Sequence, residues 1–169
     1  PMGSRLLRRW LNRPLRDRGT LAERYDAIES LQAGADATLA EALRDVGDLE
    51  RILARIALGT ARPRDLAQLR TALDLAPAVA AALAGTTAPL LARCRDGLGD
   101  HGDTTALLHR AVVATPPLLL RDGGVIATGH DATLDELRDI SEHADRYLVD
   151  LEQRERARTG LPSLKVGYN

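Results

Sequence analysis

The residues best placed to do chemistry are basic. Arg5, Arg8, Arg9, Arg13, Arg16, Arg18 and Arg24 place seven positive charges in residues 1–24, against Asp17 and Glu23. Phosphate contacts need such a row, and Arg5, Arg8, Arg9 and Arg13 are the candidate phosphate ligands. A face turned to solvent or to an acidic partner fits the row equally well. The other candidates are weaker. His101, His109, His130 and His143 form no i, i+4 pair and no HExxH pattern, so no zinc-ligand spacing exists. His143 meets Asp139 one turn back, as exposed helix residues do. Gly123, Gly124 and Gly129 do not make a phosphate loop, which needs GxxxxGK and then Ser or Thr. The only lysine is Lys165. No serine sits on a nucleophile elbow. Cys94 is the one cysteine, which excludes an intrachain disulfide and a multi-cysteine zinc site. It reads as a small buried core residue in a cytoplasmic protein. No catalytic, metal or cofactor site is expected.

Composition sets what must position these groups. The 169 residues contain 30 Leu and 27 Ala but only 12 Ile plus Val, a balance that favours helices over a sheet. No Phe is present, and Trp10 and three tyrosines are the only aromatics, which excludes stacking platforms for single-stranded nucleic acid. A net charge of −1 gives no global field toward DNA. The longest apolar run, residues 75–84, contains Pro77 and is too short to cross a bilayer.

The expected fold is all-α: a multi-helix bundle with one long projecting helix and a small β-hairpin near 118–127. Residues 4–12 place Leu6, Leu7, Trp10 and Leu11 on one face and arginines on the other. Thr20 and Glu23 spell a capping box for the next helix. Asp48 caps a helix with Leu49, Ile52, Leu53 and Ile56 inward, and Pro63 opens another that carries Leu66, Leu69 and Leu73. A separate weak helix is expected over 77–83. Residues 118–121 and 125–127 flank Asp122-Gly123-Gly124 as two hairpin arms. A second capping box, Thr133 with Glu136, opens a helix running to about Arg158, roughly 39 Å long at 1.5 Å per residue. Leu134, Leu137, Ile140, Ala144, Tyr147, Leu148 and Leu151 form its seam, and its charged last turns are expected to point into solvent. Residues 164–169 alternate like a strand without a partner, which predicts that the chain is cut from a longer protein. The expected division is a helical core over 1–132, the long helix over 133–160, and the start of a further domain over 161–169.

Several blocks resemble the MutS family of DNA mismatch-repair proteins. They are Pro1-Met-Gly-Ser-Arg-Leu-Leu-Arg-Arg-Trp-Leu11 with Pro14-Leu-Arg-Asp17, and Val46-Gly-Asp-Leu-Glu-Arg-Ile-Leu-Ala-Arg55 with Ala61-Arg-Pro-Arg-Asp-Leu66. Thr115-Pro-Pro117, Arg121-Asp-Gly-Gly-Val-Ile126 and Leu134-Asp-Glu-Leu-Arg138 follow, then Arg154-Glu-Arg156 through Thr159-Gly160 to Leu164-Lys-Val-Gly-Tyr-Asn169. His130 departs from the aromatic residue expected after Gly129. The resemblance implies the first half of the core, or lever, domain, whose long helix leads into the DNA clamp. It puts an elbow at 160–163 and the first clamp strand at 164–169. It also implies that the mismatch-reading motif lies before this segment and the ATPase site, with its ATP and Mg, lies after it. The parent is then a homodimeric, cytoplasmic DNA-binding and ATP-binding protein of the DNA-damage response, with no membrane partner. This segment links its ATPase and connector parts to the clamp and has no enzyme activity of its own. The competing reading is a stand-alone helical protein-interaction module.

Overall fold

The computed structural model describes residues 2–166, apart from the side chains of Ala35 and Asp36. Among these residues every extended element is a helix: α1 (Met2–Asn12), α2 (Arg18–Ser30), α3 (Asp36–Leu43), α4 (Leu49–Ala57), α5 (Pro63–Ala82), α6 (Pro89–Asp96), α7 (Gly102–Ala111), α8 (Ala132–Glu142) and α9 (Ala144–Thr159). The chain divides into two compact units, residues 1–126 and residues 127–169.

In the first unit α5 is the hub and packs on α3, α4, α6 and α7. Its core is built from small side chains. Ala27 of α2, Val79 and Leu83 at the end of α5, and Ala88 and Leu91 at the start of α6 form one buried cluster, flanked by Leu31, Leu39, Ala42, Leu90 and Leu98. Alanine lets helices approach closely, so a chain without Phe still closes a core. Ile52 of α4 lies outside that cluster and is 1% exposed, the most deeply buried large side chain among the described residues. The helix expected to start at Pro77 is instead the end of α5, which runs through Pro77 without stopping. Proline removes one helical hydrogen bond, but Ala72 before it and Val79 and Leu83 after it are buried, and that packing holds the backbone on both sides. Between α2 and α3 the chain makes a π-turn, Leu31–Ala35, kinked at Gly34 with φ 154°.

Both expected capping boxes are replaced by aspartates upstream. Asp17 accepts from the amides of Gly19 and Thr20 at 3.2 and 3.1 Å. Asp131 accepts from the Leu134 amide at 2.9 Å. A carboxylate at a helix N-terminus gains from the positive end of the helix dipole, which a threonine hydroxyl does not.

The hairpin near 118–127 does not form. Leu119 donates its amide to Asp122 Oδ2 at 3.3 Å, and residues 120–122 curl into a 3₁₀ turn. The arm over 125–126 pairs upstream instead, with an isolated antiparallel bridge between Val112 and Ile126 and a Val113 N–H to Val125 carbonyl bond of 3.0 Å. Val112 and Val125 are both buried, so their packing chooses the partner.

The single rod expected over 133–158 is two helices, broken at His143 with φ −124° and ψ 39°. Ser141, His143 and Asp145 are weak helix formers, and residues 141–147 are all exposed. That exposure leaves little burial to offset their poor propensity. The expected burial of Cys94 is also overturned, since its side chain is exposed. The buried cluster takes Ala88 and Leu91 from the first turns of this eight-residue helix, and Cys94 lies in its last turn.

Candidate functional site

The arginine row begins on α1. Its apolar stripe, expected to face inward, stays open: Leu6 and Leu7 are exposed and Leu11 is 73% exposed. Trp10 is half-buried beneath Arg24, whose guanidinium carbon stands 3.7 Å from the ring centroid, within cation–π range. Of the four candidate phosphate ligands, Arg5 is already engaged. It holds Asp48 through two bonds of 2.5 and 2.7 Å and Glu50 through one of 2.7 Å. The hydrogen-bonded Arg5 guanidinium lowers the Asp48 carboxyl to about 2 and raises its own pKa in return. Asp48 also caps α4 at the Arg51 amide, 3.3 Å away, so one carboxylate ties α1 to the start of α4. Arg8, Arg9 and Arg13 are exposed and, among the described residues, form no ion pair.

Two further arginines join elements of the first unit. Arg55 of α4 makes a two-pronged contact with Asp65 of α5, at 2.7 and 2.5 Å. Asp65 also accepts the Arg62 amide at 2.9 Å, and the Arg55 guanidinium keeps its carboxyl below the usual range. Arg70 of α5 reaches the carbonyls of Val112, Val113 and Ala114 at 2.7, 3.3 and 2.9 Å. Sequence reasoning missed Arg70. The available signal was its place on the seam side of α5, one residue after Leu69 and three before Leu73.

The histidines are placed as follows. His109 Nε2 lies 2.9 and 3.0 Å from the two carboxylate oxygens of Asp74, which accept from it. His101 lines the same groove, of about 590 Å³. His143 Nδ1 lies 3.2 Å from Asp139, as its spacing predicts. Among the described residues no group of three or more His, Cys, Asp or Glu could hold a metal ion.

In the second unit the seam is uneven. Leu134, Ile140, Leu148 and Leu151 are half-buried, whereas Leu137, Ala144 and Tyr147 are exposed. The end of α9 is better ordered by polar groups. Gly160 ends the helix in the left-handed region, φ 69°, and its amide returns to the Arg156 carbonyl at 2.9 Å. The chain then folds back. Arg156 Nε donates to the Leu164 carbonyl at 2.8 Å, and Glu152 Oε2 accepts the Val166 amide at 3.1 Å. The two side chains also pair with each other at 2.5 Å. The charged tip expected to be wholly solvated therefore has two half-buried members that clamp the next segment. The signal was legible as a Glu–Arg pair at i, i+4 just before a helix-ending glycine. Among the described residues, 164–166 belong to no helix or strand. The rest of the expected clamp strand, 167–169, lies outside the described residues.

A family model for MutS domain III matches residues 1–159. The chain belongs to the MutS family of mismatch-repair proteins. The matched span covers all nine helices of the described residues. Domain III is a non-catalytic core domain of MutS proteins. The MutS-like blocks coincide with those joints. Asp48 and Arg55 lie in one block and Asp65 in the next. Arg156 and Leu164 lie together in the last.

Proposed function

We propose that this chain is the core and lever segment of a MutS-like mismatch-repair protein, and that it links the ATPase and connector parts mechanically to the DNA clamp. The carrying observation is the joint at the end of α9. Arg156 and Glu152 bind the backbone of Leu164 and Val166 across the Gly160 turn, so the helix and the segment after it move as one piece. A rod transmits displacement only where its end is tied to the part it moves. The tie consists of charge-assisted bonds to backbone groups, which hold direction as well as distance.

In this reading the parent is a homodimer in the cytoplasm that binds mismatched DNA and uses ATP with Mg, and both functions reside in its other domains. The open apolar stripe of α1, with Leu7 and Leu11, is then covered by one of those domains. Arg8, Arg9 and Arg13 remain available for a phosphate backbone or an acidic neighbour. The alternative, a stand-alone interaction module, draws on the same open stripe. It needs no joint at Gly160.

The test uses the full-length parent with spin labels or fluorophores on α9 and on the clamp. ATP is expected to change the distance between the labels, and Arg156→Gln is expected to weaken that response while ATP turnover without DNA is kept. An ATP response unchanged by both Arg156→Gln and Glu152→Gln would remove the basis for the lever role.

A further inference from the structure

Two charged side chains are buried among the described residues, Asp65 and Arg70. Asp65 has a cation, Arg55. Arg70, 9% exposed, has none, and its hydrogen-bond acceptors are the three neutral carbonyls of residues 112–114. Carbonyls satisfy N–H groups but leave the net charge uncompensated, and a buried ion ordinarily carries a counter-ion.

A groove of about 430 Å³ has Arg70 in its lining. Arg64, Gln68 and Thr71 line it from one face of α5, with spacings of four and three residues, and Thr115 and Pro116 line it from the other side. No carboxylate contributes to the lining. Arg64 is exposed and, among the described residues, forms no ion pair. The Thr71 hydroxyl is already given to the Ala67 carbonyl at 3.1 Å, and Arg70 Nη1 and Nη2 are given to carbonyls, so the donors that remain are the Arg64 guanidinium, the Gln68 amide and the Thr115 hydroxyl, with Arg70 contributing its charge.

We propose that this groove is an oxyanion site, and that it takes a phosphate group between Arg64 and Arg70. Phosphate is compact, carries the counter-charge that Arg70 lacks, and offers acceptors in the geometry that the Arg64 guanidinium fork matches. Arg70 is held rigid by its carbonyl bonds, so little side-chain freedom is lost when the anion arrives. Arg64 approaches from the open side and sets the strength of capture. Two sources present this chemistry, a free phosphate and a phosphate of a DNA backbone. The site does not depend on the lever role.

The experiment titrates the 169-residue chain with inorganic phosphate at constant ionic strength, read by calorimetry and by NMR shifts of residues 64–71 and 114–116. Saturable binding is expected, with chloride producing no comparable change. Arg64→Gln is expected to weaken it by about tenfold, the loss of one charge-assisted contact. Thr115→Asp places a carboxylate in the groove and is expected to abolish it. Both substituted residues are exposed, so the fold survives, and an unchanged thermal midpoint for Arg64→Gln verifies this. Arg121→Gln, on an exposed turn away from the groove, is expected to bind as the parent does. A second arm measures a short DNA duplex. Weakening by Arg64→Gln assigns the phosphate to a DNA backbone, and an unchanged DNA affinity beside weakened phosphate binding assigns it to a free anion. The proposal is overturned if phosphate does not saturate, or if Arg64→Gln and Thr115→Asp both bind phosphate as the parent does.

Discussion

Arg156 and Leu164 meet across the turn at Gly160, with the arginine Nε donating to the leucine carbonyl at 2.8 Å. Eight residues separate them in sequence, and the contact exists only because the chain reverses at a left-handed glycine. That bond and its neighbour from Glu152 to Val166 decide whether α9 ends freely or carries the next segment with it.

Arg156→Gln and Glu152→Gln should each release residues 161–166 without unfolding the first unit. Hydrogen exchange at the Val166 amide should quicken, and trypsin should cut sooner after Lys165. Protection and cleavage equal to the parent's would mean that the fold-back is not held by these side chains.

Gly160→Ala tests the turn itself. The glycine has φ 69°, and nothing lies within 4 Å of an added Cβ, so the cost is backbone strain alone. A loss of about 1 kcal/mol is expected in urea melts. A neutral substitution would show that the reversal is not populated in solution.

Ile52→Ala and Leu137→Ala should differ sharply. Ile52 is 1% exposed, and its truncation should cost about 2–5 kcal/mol. Leu137 is 58% exposed, and its truncation should stay within about 0.5 kcal/mol. Equal losses in chemical denaturation would place Leu137 under cover that its exposure denies.

The ion pair of Arg5 and Asp48 gives a pH signature. The folded-state pKa of Asp48 is lowered from 3.8 to about 2. The unfolded chain therefore takes up its proton first as pH falls. The stabilisation is complete above 3.8 and is lost as pH drops through 2. Asp48→Asn keeps an acceptor at the cap but removes the charge. The gap in thermal midpoint between parent and variant should hold constant near neutrality and close toward pH 2. A gap that persists undiminished in acid would assign the effect to something other than ionisation.

Much of the first unit was legible in the sequence because its signals are local. Asp48 before Leu49 and Pro63 at a first turn mark helix starts by chemistry confined to a few residues. Residues 4–12 read as an amphipathic helix for the same reason, since periodicity needs no partner. The MutS character was equally available, because it resides in the order of residue types. What failed was whatever depended on distant choices. Arms at 118–121 and 125–127 flank Asp122-Gly123-Gly124 as a hairpin should, yet Val125 and Ile126 pair with Val112 and Val113, a decision made by burial of Val112 and Val125. Pro77 reads as a helix boundary, but α5 passes through it because Ala72, Val79 and Leu83 on its two sides are buried. The seam of α8 and α9 has one period on paper, and the break at His143 falls where residues 141–147 are all exposed. Arg70 shows the limit most plainly. Its identity says only that it carries a charge. Its burial against three carbonyls, beside a groove without a carboxylate, comes from packing α5 on α7 and the strand-like residues after it. Local propensity and capping act within a turn or two of chain, so the sequence by itself determined the helices. Partners, breaks and buried charges depend on which surfaces meet, and only the tertiary structure decided those.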